Sequence, residues 1–174
     1  MSNKLLFVFF IFIVVAFKPA SGIYDITIHT LGGSPVSLSS FAGKKIIAFE
    51  FDANNYDQSQ LLTLDTIQRS GLPVQVIGVP AKDFGSTATI QQIRALVQSL
   101  NLSFIITQPG YVKKSAGTNQ QKIFKWVTHV NENSHFDNDA DNPGQIYLIS
   151  SEGVLYAMLG RGTPNAVVKE LAGQ

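Results

Sequence analysis

The chain contains no cysteine among its 174 residues. This absence excludes a thiol nucleophile, thiol–disulfide exchange and thiolate-bound metals. It also excludes disulfide cross-links, so the packing of side chains alone must stabilise the fold.

Long hydrophobic runs are also scarce. Residues 5–17 lack any polar side chain, but such a run is too short to span a bilayer and matches a signal-peptide core. Lys4 precedes it, and small residues at 20–22 suit cleavage. We predict that residues 1–22 are a signal for export to the periplasm or the medium. An uncleaved membrane anchor is the alternative.

Excess charge of either sign is absent. The formal net charge is +1, and it becomes −1 when Lys4 and Lys18 leave with the signal. The basic residues are scattered along the sequence. A near-neutral surface gives no electrostatic reason to expect nucleic acid or, after cleavage, a membrane as partner. A small molecule or a protein remains the expected partner.

Residues 23–174 have the length of one domain with a real hydrophobic core. Its centre is a βαβ unit. Residues 45–51 and 74–79 are apolar and β-prone, as in buried strands. Between them, apolar residues recur at helical spacing until Ser70-Gly71 ends the helix. The carboxyl ends of such strands are where chemistry usually lies.

The flanking segments predict a hairpin before this unit and another after it. Residues 23–29 alternate, Gly32-Gly33 turns, and residues 36–38 return. Residues 145–149 and 154–159 form the second hairpin. The remaining predictions are a helix at 90–100, an extended segment at 102–107, a helix at 123–130, a polar loop at 131–144 and a closing helix capped by Thr163 with Pro164 first.

This order predicts an α/β fold with a central mixed sheet flanked by helices and an N-terminal β-hairpin. It is the order of a thioredoxin-like domain with an N-terminal extension and an insertion between its halves.

Several short motifs add a family resemblance. The stretch from Tyr24 to Lys44 looks like the pattern "YDF…G…V.LS…GK", and residues 78–85 look like "GFPCNQFG". Residues 124–127 are similar to "LYKWL", and residues 147–153 to "KFLVD.DG". In this order and spacing, the motifs resemble the glutathione peroxidase family over nearly all of the mature chain.

The resemblance implies hydroperoxide reduction by selenocysteine or cysteine, assisted by Gln, Trp and Asn, within a thioredoxin-like fold. The chain departs from the family at these positions. In that order, they are occupied by Asn55, Asp83, Asn142 and Pro143. Ala81 and Val97 stand where members carry other cysteines.

A carboxamide is no nucleophile for a peroxide, and an aspartate repels a developing anion. We therefore expect no intact catalytic residue and no cofactor. The expected function is an exported, catalytically degenerate binding or interaction module. The alternative is a peroxidase of the oxidative-stress response, as the resemblance implies.

A polar pocket is a further hypothesis. Asp52, Tyr56 and Asp57 adjoin the nucleophile position, and with Asp83 and Asn142 they could form a binding pocket at the carboxyl end of the sheet. The same residues could equally be an eroded site that only solvates the loop. The sequence leaves both interpretations open.

A metal site is the weaker hypothesis. Asp137, Asp139 and Asp141 offer oxygen ligands that suit Ca²⁺, but the following glycine comes too late for an EF-hand and Leu148 replaces its glutamate. A solvated loop explains the run better. His29, His129 and His135 lack the i, i+4 spacing of a helical metal pair, so no metal is predicted.

Overall fold

The computed structural model describes residues 22–173. The predicted signal at residues 1–22 therefore lies outside the described residues, apart from Gly22. Within the described range, no helix is both long and apolar enough to cross a membrane.

Two sheets organise the chain. A two-stranded antiparallel sheet precedes a five-stranded mixed sheet, with strand order β5-β4-β3-β6-β7 in the latter. Strands β3, β4 and β5 are parallel, whereas β6 and β7 are antiparallel to their neighbours. The strands are β1 (Thr27–His29), β2 (Pro35–Ser37), β3 (Lys45–Phe51), β4 (Val74–Pro80), β5 (Ile105–Ile106), β6 (Ile146–Ile149) and β7 (Leu155–Leu159).

Helices cover both faces of the larger sheet. They are α1 (Gln58–Arg69), α2 (Ile90–Ser99), α3 (Lys122–Thr128), α4 (Val130–Asn133) and α5 (Asn165–Gly173). Alternate residues of β3 enter two different cores, because successive side chains of a strand point to opposite faces. Ile46 and Ala48 pack with α3, whereas Ile47 and Phe49 pack with α1, α2 and α5.

The predicted fold class is confirmed, and so are the central βαβ unit and both hairpins. The prediction was wrong at the amino end, where Ile23–Asp25 form a 3₁₀ turn and the strand begins at Thr27. The Asp25 carboxylate accepts the Gly22 N–H at 3.0 Å, which closes this turn.

The predicted helix at 123–130 is broken at His129. The Thr128 hydroxyl donates to the Phe124 carbonyl at 2.7 Å, and His129 Nδ1 lies 3.0 Å from the Lys125 carbonyl. These side chains therefore compete for the carbonyl groups that would accept backbone hydrogen bonds if the helix continued. Helix α4 follows at Val130–Asn133, so the polar loop starts at Ser134 rather than at residue 131.

Two other elements have boundaries that differ from the predicted ones. Helix α5 begins at Asn165, and the Thr163 hydroxyl donates to the Gly160 carbonyl at 2.8 Å instead of capping the helix. Of the extended segment at 102–107, Ile105–Ile106 form the strand beside β4, and the Thr107 N–H donates to the Gly78 carbonyl of β4. The same region bonds to the N-terminal hairpin, because the Leu31 N–H donates to the Ile106 carbonyl and the Gln108 N–H donates to the His29 carbonyl.

Candidate functional site

The turn after β3 is held by its own acidic side chains. The Asp52 carboxylate accepts the N–H of Asn54 at 2.9 Å, and the Asp57 carboxylate accepts the N–H of Gln60 at 3.1 Å. Asp57 is thus the N-cap of α1. These short polar residues are turn and cap formers, which explains why the strand stops at Phe51.

The crevice at this end of the sheet is very small. Its volume is about 10 Å³, which is the space of roughly one water molecule. The Gln60 side-chain amide donates to the Gly144 carbonyl at 2.7 Å and helps to close it. The lining consists of Phe51, Asp52, Asn55, Tyr56, Asp57, Gln60, Pro143, Gly144 and Arg161.

The structure brings together only part of the predicted pocket. Asn55 and Pro143 line the crevice, as do Asp52, Tyr56 and Asp57. The other two predicted members do not. The Asp83 carboxylate accepts the backbone N–H of Val112 instead, and Asn142 is exposed outside the lining.

The two positions at which family members carry other cysteines are occupied here by apolar residues that pack within the fold. Ala81 is buried and forms an isolated bridge with Gly110, whereas Val97 is half-buried on α2. No cis peptide bond occurs in residues 22–173, so the bond before Pro143 is trans.

Strand β3 also carries a buried acid that the sequence analysis did not single out, next to Phe51 in sequence but absent from the lining of the crevice. Glu50 of β3 is fully buried, and its Oε1 accepts the Gln145 N–H at 3.3 Å while Oε2 has no partner among the described residues. Burial, reinforced by the nearby Asp83 carboxylate, raises the pKa of Glu50 well above its ordinary value.

Tyr147 of β6 is the second buried group of this kind. Its hydroxyl is enclosed without a hydrogen-bond partner in the part of the chain that the structure describes. Burial raises the Tyr147 pKa, and the Glu50 carboxylate adds to the effect. Burial therefore disfavours the ionised form of both groups.

The aspartates of the polar loop anchor that loop to the neighbouring segment. The Asp137 carboxylate pairs with the Lys114 ammonium at 2.7 Å, and the Asp139 carboxylate accepts the Lys114 N–H at 2.8 Å. Within residues 22–173, no three His, Asp or Glu side chains lie close enough together to hold a metal ion. His29 ends β1, and His135 Nδ1 lies 2.8 Å from the Asn133 carbonyl.

A much larger cavity lies at the end of β1. Its volume is about 520 Å³, and we call it the basic cavity because its lining contains Lys82, Lys122 and His29 and no acidic residue. The other lining residues are Thr27, Ile28, Gln108, Pro109, Gly110, Tyr111, Thr118, Asn119, Gln120 and Gln121.

Comparisons with known proteins bear on the fold. The sequence matches no protein-family model and no curated protein. Solved structures do match. The crystal structure of apo Trgpx is 16% identical with a TM-score of 0.67, covering 88% of this chain and 94% of its own.

Two thiol–disulfide proteins are also similar. The thiol:disulfide interchange protein of Chlorobium tepidum TLS is 11% identical with a TM-score of 0.65, covering 90% of this chain and 97% of its own. A secreted thiol-disulfide isomerase of Corynebacterium glutamicum is 14% identical with a TM-score of 0.63, covering 97% and 96%. The chain has a thioredoxin-like fold.

At such low identity the likeness shows the fold alone. The neighbours of this thioredoxin-like fold include both glutathione-peroxidase-type proteins and disulfide oxidoreductases. The glutathione peroxidase resemblance is therefore supported only at the coarser level of the thioredoxin-like fold.

Two features of this chain were not predicted from its sequence. A lone glutamate inside an apolar strand was the available signal for Glu50. For the basic cavity, the available signal was the segment of residues 108–129, which carries four lysines and no acid.

Proposed function

We propose that the chain is an exported protein that keeps a thioredoxin-like fold without thiol redox chemistry and acts as a binding or interaction module. The observation that carries this proposal is the absence of cysteine, with Asn55 in the turn between β3 and α1. Peroxide reduction and disulfide exchange both need an anion of sulfur or selenium as nucleophile.

The surroundings of Asn55 also oppose such chemistry. The crevice has a volume of about 10 Å³, and Asp52 and Asp57 are among its lining residues. Neighbouring carboxylates raise the free energy of a developing anion, whereas a catalytic site needs donors that lower it. Arg161 is the basic residue of the lining, and it is exposed.

The alternative is a peroxidase that acts without cysteine, in line with the redox names of Trgpx and the interchange protein. It would need another oxidisable group at the crevice. Met158 lies in β7 and does not line the crevice. Binding therefore accounts better for the residues that are present.

Two assays on the purified protein test the redox half of the proposal. We expect hydrogen peroxide consumption with glutathione or thioredoxin as donor to match buffer, and insulin disulfides to remain unreduced. A cysteine-containing glutathione peroxidase in the same assay is the positive control. Turnover that persists through repurification would favour the peroxidase alternative.

Export is tested by the mass of the mature chain. When the full sequence is expressed with its own amino terminus, we expect the exported fraction to lack a segment ending near residue 22. Recovery of the full-length chain in the membrane fraction would instead support an uncleaved anchor.

A further inference from the structure

The basic cavity is large enough for an organic molecule. Its volume of about 520 Å³ falls within the range of about 300–1,000 Å³ that is usual for ligand pockets. Four segments form its walls: β1, Lys82 in the loop after β4, residues 108–111 in the loop after β5, and residues 118–122 at the entry to α3.

Main-chain hydrogen bonds hold these walls in place. Lys82 donates to the Gly110 carbonyl at 2.9 Å, and Gly110 donates to the Pro80 carbonyl at 3.1 Å. On the other side, the Gln121 N–H donates to the Tyr111 carbonyl at 2.9 Å, and its side chain donates to the Gln108 carbonyl at 2.7 Å. A preformed site of this kind loses little conformational entropy when a ligand binds.

The lining of the basic cavity carries positive charge, and its two lysines form no salt bridge among the described residues. Neither Lys82 nor Lys122 lies within 4.0 Å of a carboxylate oxygen in the described chain. The two nearby lysines that do form such pairs are Lys114, with Asp137, and Lys125, with Glu132.

The acid that is closest in sequence to Lys82 does not line the cavity. Asp83 follows Lys82 directly, but its carboxylate accepts the N–H of Val112 and is absent from the lining. Unpaired ammonium groups in a concave site attract anions.

A flat ring borders the positive groups. Tyr111 is 43% exposed, and the Lys82 ammonium lies 5.9 Å from its ring centroid. An exposed aromatic face offers a stacking surface for a planar group. Around it, Thr27, Gln108 and Asn119 carry neutral groups that can hydrogen-bond to a polar ligand.

We propose that the basic cavity binds a small organic anion, a carboxylate or a phosphate, that also carries a planar ring. Lys82 and Lys122 contact the anionic group, and Tyr111 contacts the ring. This inference rests on the proposed binding role of the protein and names its ligand class.

Calorimetric titration of the full mature chain tests this inference with four probes. Adenosine 5′-monophosphate and benzoate combine an anion with a ring, whereas inorganic phosphate and adenosine each supply one part. We expect at least one ring-bearing anion to bind about tenfold more tightly than phosphate or adenosine. The stronger of the two identifies phosphate or carboxylate as the natural group. Absence of binding by both ring-bearing anions would overturn the inference.

Variants locate the binding. Lys82→Gln and Lys122→Gln should each weaken it about tenfold, because each removes a charge-assisted hydrogen bond. Thr118→Trp should block the cavity while keeping both charges. Lys169→Gln, an exposed lysine of α5, is the matched control and should bind as the parent does. Unchanged binding in a folded Lys82→Gln/Lys122→Gln double variant, checked by circular dichroism, would contradict the assignment.

The peroxide assay on the same samples separates this inference from the proposed function. Loss of the anion site with no redox turnover would remove only the ligand assignment. Redox turnover would overturn the proposed function, whatever the cavity binds.

Discussion

The burial of Glu50 lowers the stability of the folded protein at the scale of a single residue. A carboxyl group lies in the core with one oxygen unpaired, although the strand around it is otherwise apolar. A buried acid avoids most of this penalty by keeping its proton. The folded state therefore binds that proton more tightly than the unfolded state does.

This difference predicts a pH dependence of stability. Above the ordinary pKa of glutamate, the unfolded chain releases the Glu50 proton while the folded chain keeps it. The free energy of unfolding should then fall as pH rises, by up to about 1.4 kcal/mol per pH unit, until the folded pKa is reached. Glu50→Gln should remove this loss and be the more stable protein at alkaline pH.

Urea denaturation between about pH 5 and 9 measures the effect. The matched control is Glu170→Gln, which neutralises an exposed glutamate on α5 and should keep the parent's pH slope. Equal slopes for Glu50→Gln and the parent would show that Glu50 ionises normally in the folded protein.

Among the elements, α1 is tied to the segment before β5 by one aspartate. Asp65 is buried, pairs with Arg69 at 2.6 Å, and accepts both the N–H and the hydroxyl of Ser103. Burial alone would raise the pKa of Asp65, but the hydrogen bonds from Arg69 and Ser103 outweigh it and lower the pKa.

Asp65→Asn should reduce the free energy of unfolding by about 1–3 kcal/mol at neutral pH, because an amide cannot accept all these hydrogen bonds. A depressed folded pKa means that the contribution of Asp65 is present above its unfolded pKa and disappears as pH falls through the folded value. The difference between parent and variant should therefore shrink in acid.

Thermal or urea unfolding at neutral pH and near pH 3 tests this prediction. Asp141→Asn is the control, because Asp141 is an exposed aspartate in the polar loop. A constant difference between the parent and Asp65→Asn at both pH values would mean that ionisation of Asp65 does not stabilise α1.

At the scale of the whole molecule, the sheet and helices have a thioredoxin-like arrangement, and the turn before α1 carries Asn55 together with Asp52 and Asp57. The reactivity of a thiol introduced at position 55 would show whether the surrounding residues stabilise a thiolate.

We expect Asn55→Cys to react with hydrogen peroxide no faster than an ordinary exposed thiol. Asp52 and Asp57 line the same crevice and disfavour the thiolate, and Asp57 already caps the amino end of α1. Rates and thiol pKa values are measured beside Ala95→Cys, which places a thiol on an exposed position of α2. A rate about tenfold above this control would show that the surroundings still stabilise the anion.

Local patterns predicted the elements because they depend on near neighbours. Alternation and apolar runs located β3, β4, β6 and β7, and helical spacing located α1 and α2. The predicted element boundaries were wrong where side chains form hydrogen bonds to the backbone, as Thr128 does at the end of α3. The candidate crevice was only partly predictable, since Asp83 turned towards Val112 through a contact between distant segments.

The sequence alone determined that this chain carries no thiol, because composition is independent of folding. It also determined the order of strands and helices, through periodicities that each segment carries by itself. Only the tertiary structure decided that Glu50 is enclosed without a full set of partners and that Lys82, Lys122 and Tyr111 line one cavity. These arrangements depend on how segments that are distant in sequence pack together. Contacts between such segments leave no periodic pattern in the local sequence, so the sequence alone does not reveal them.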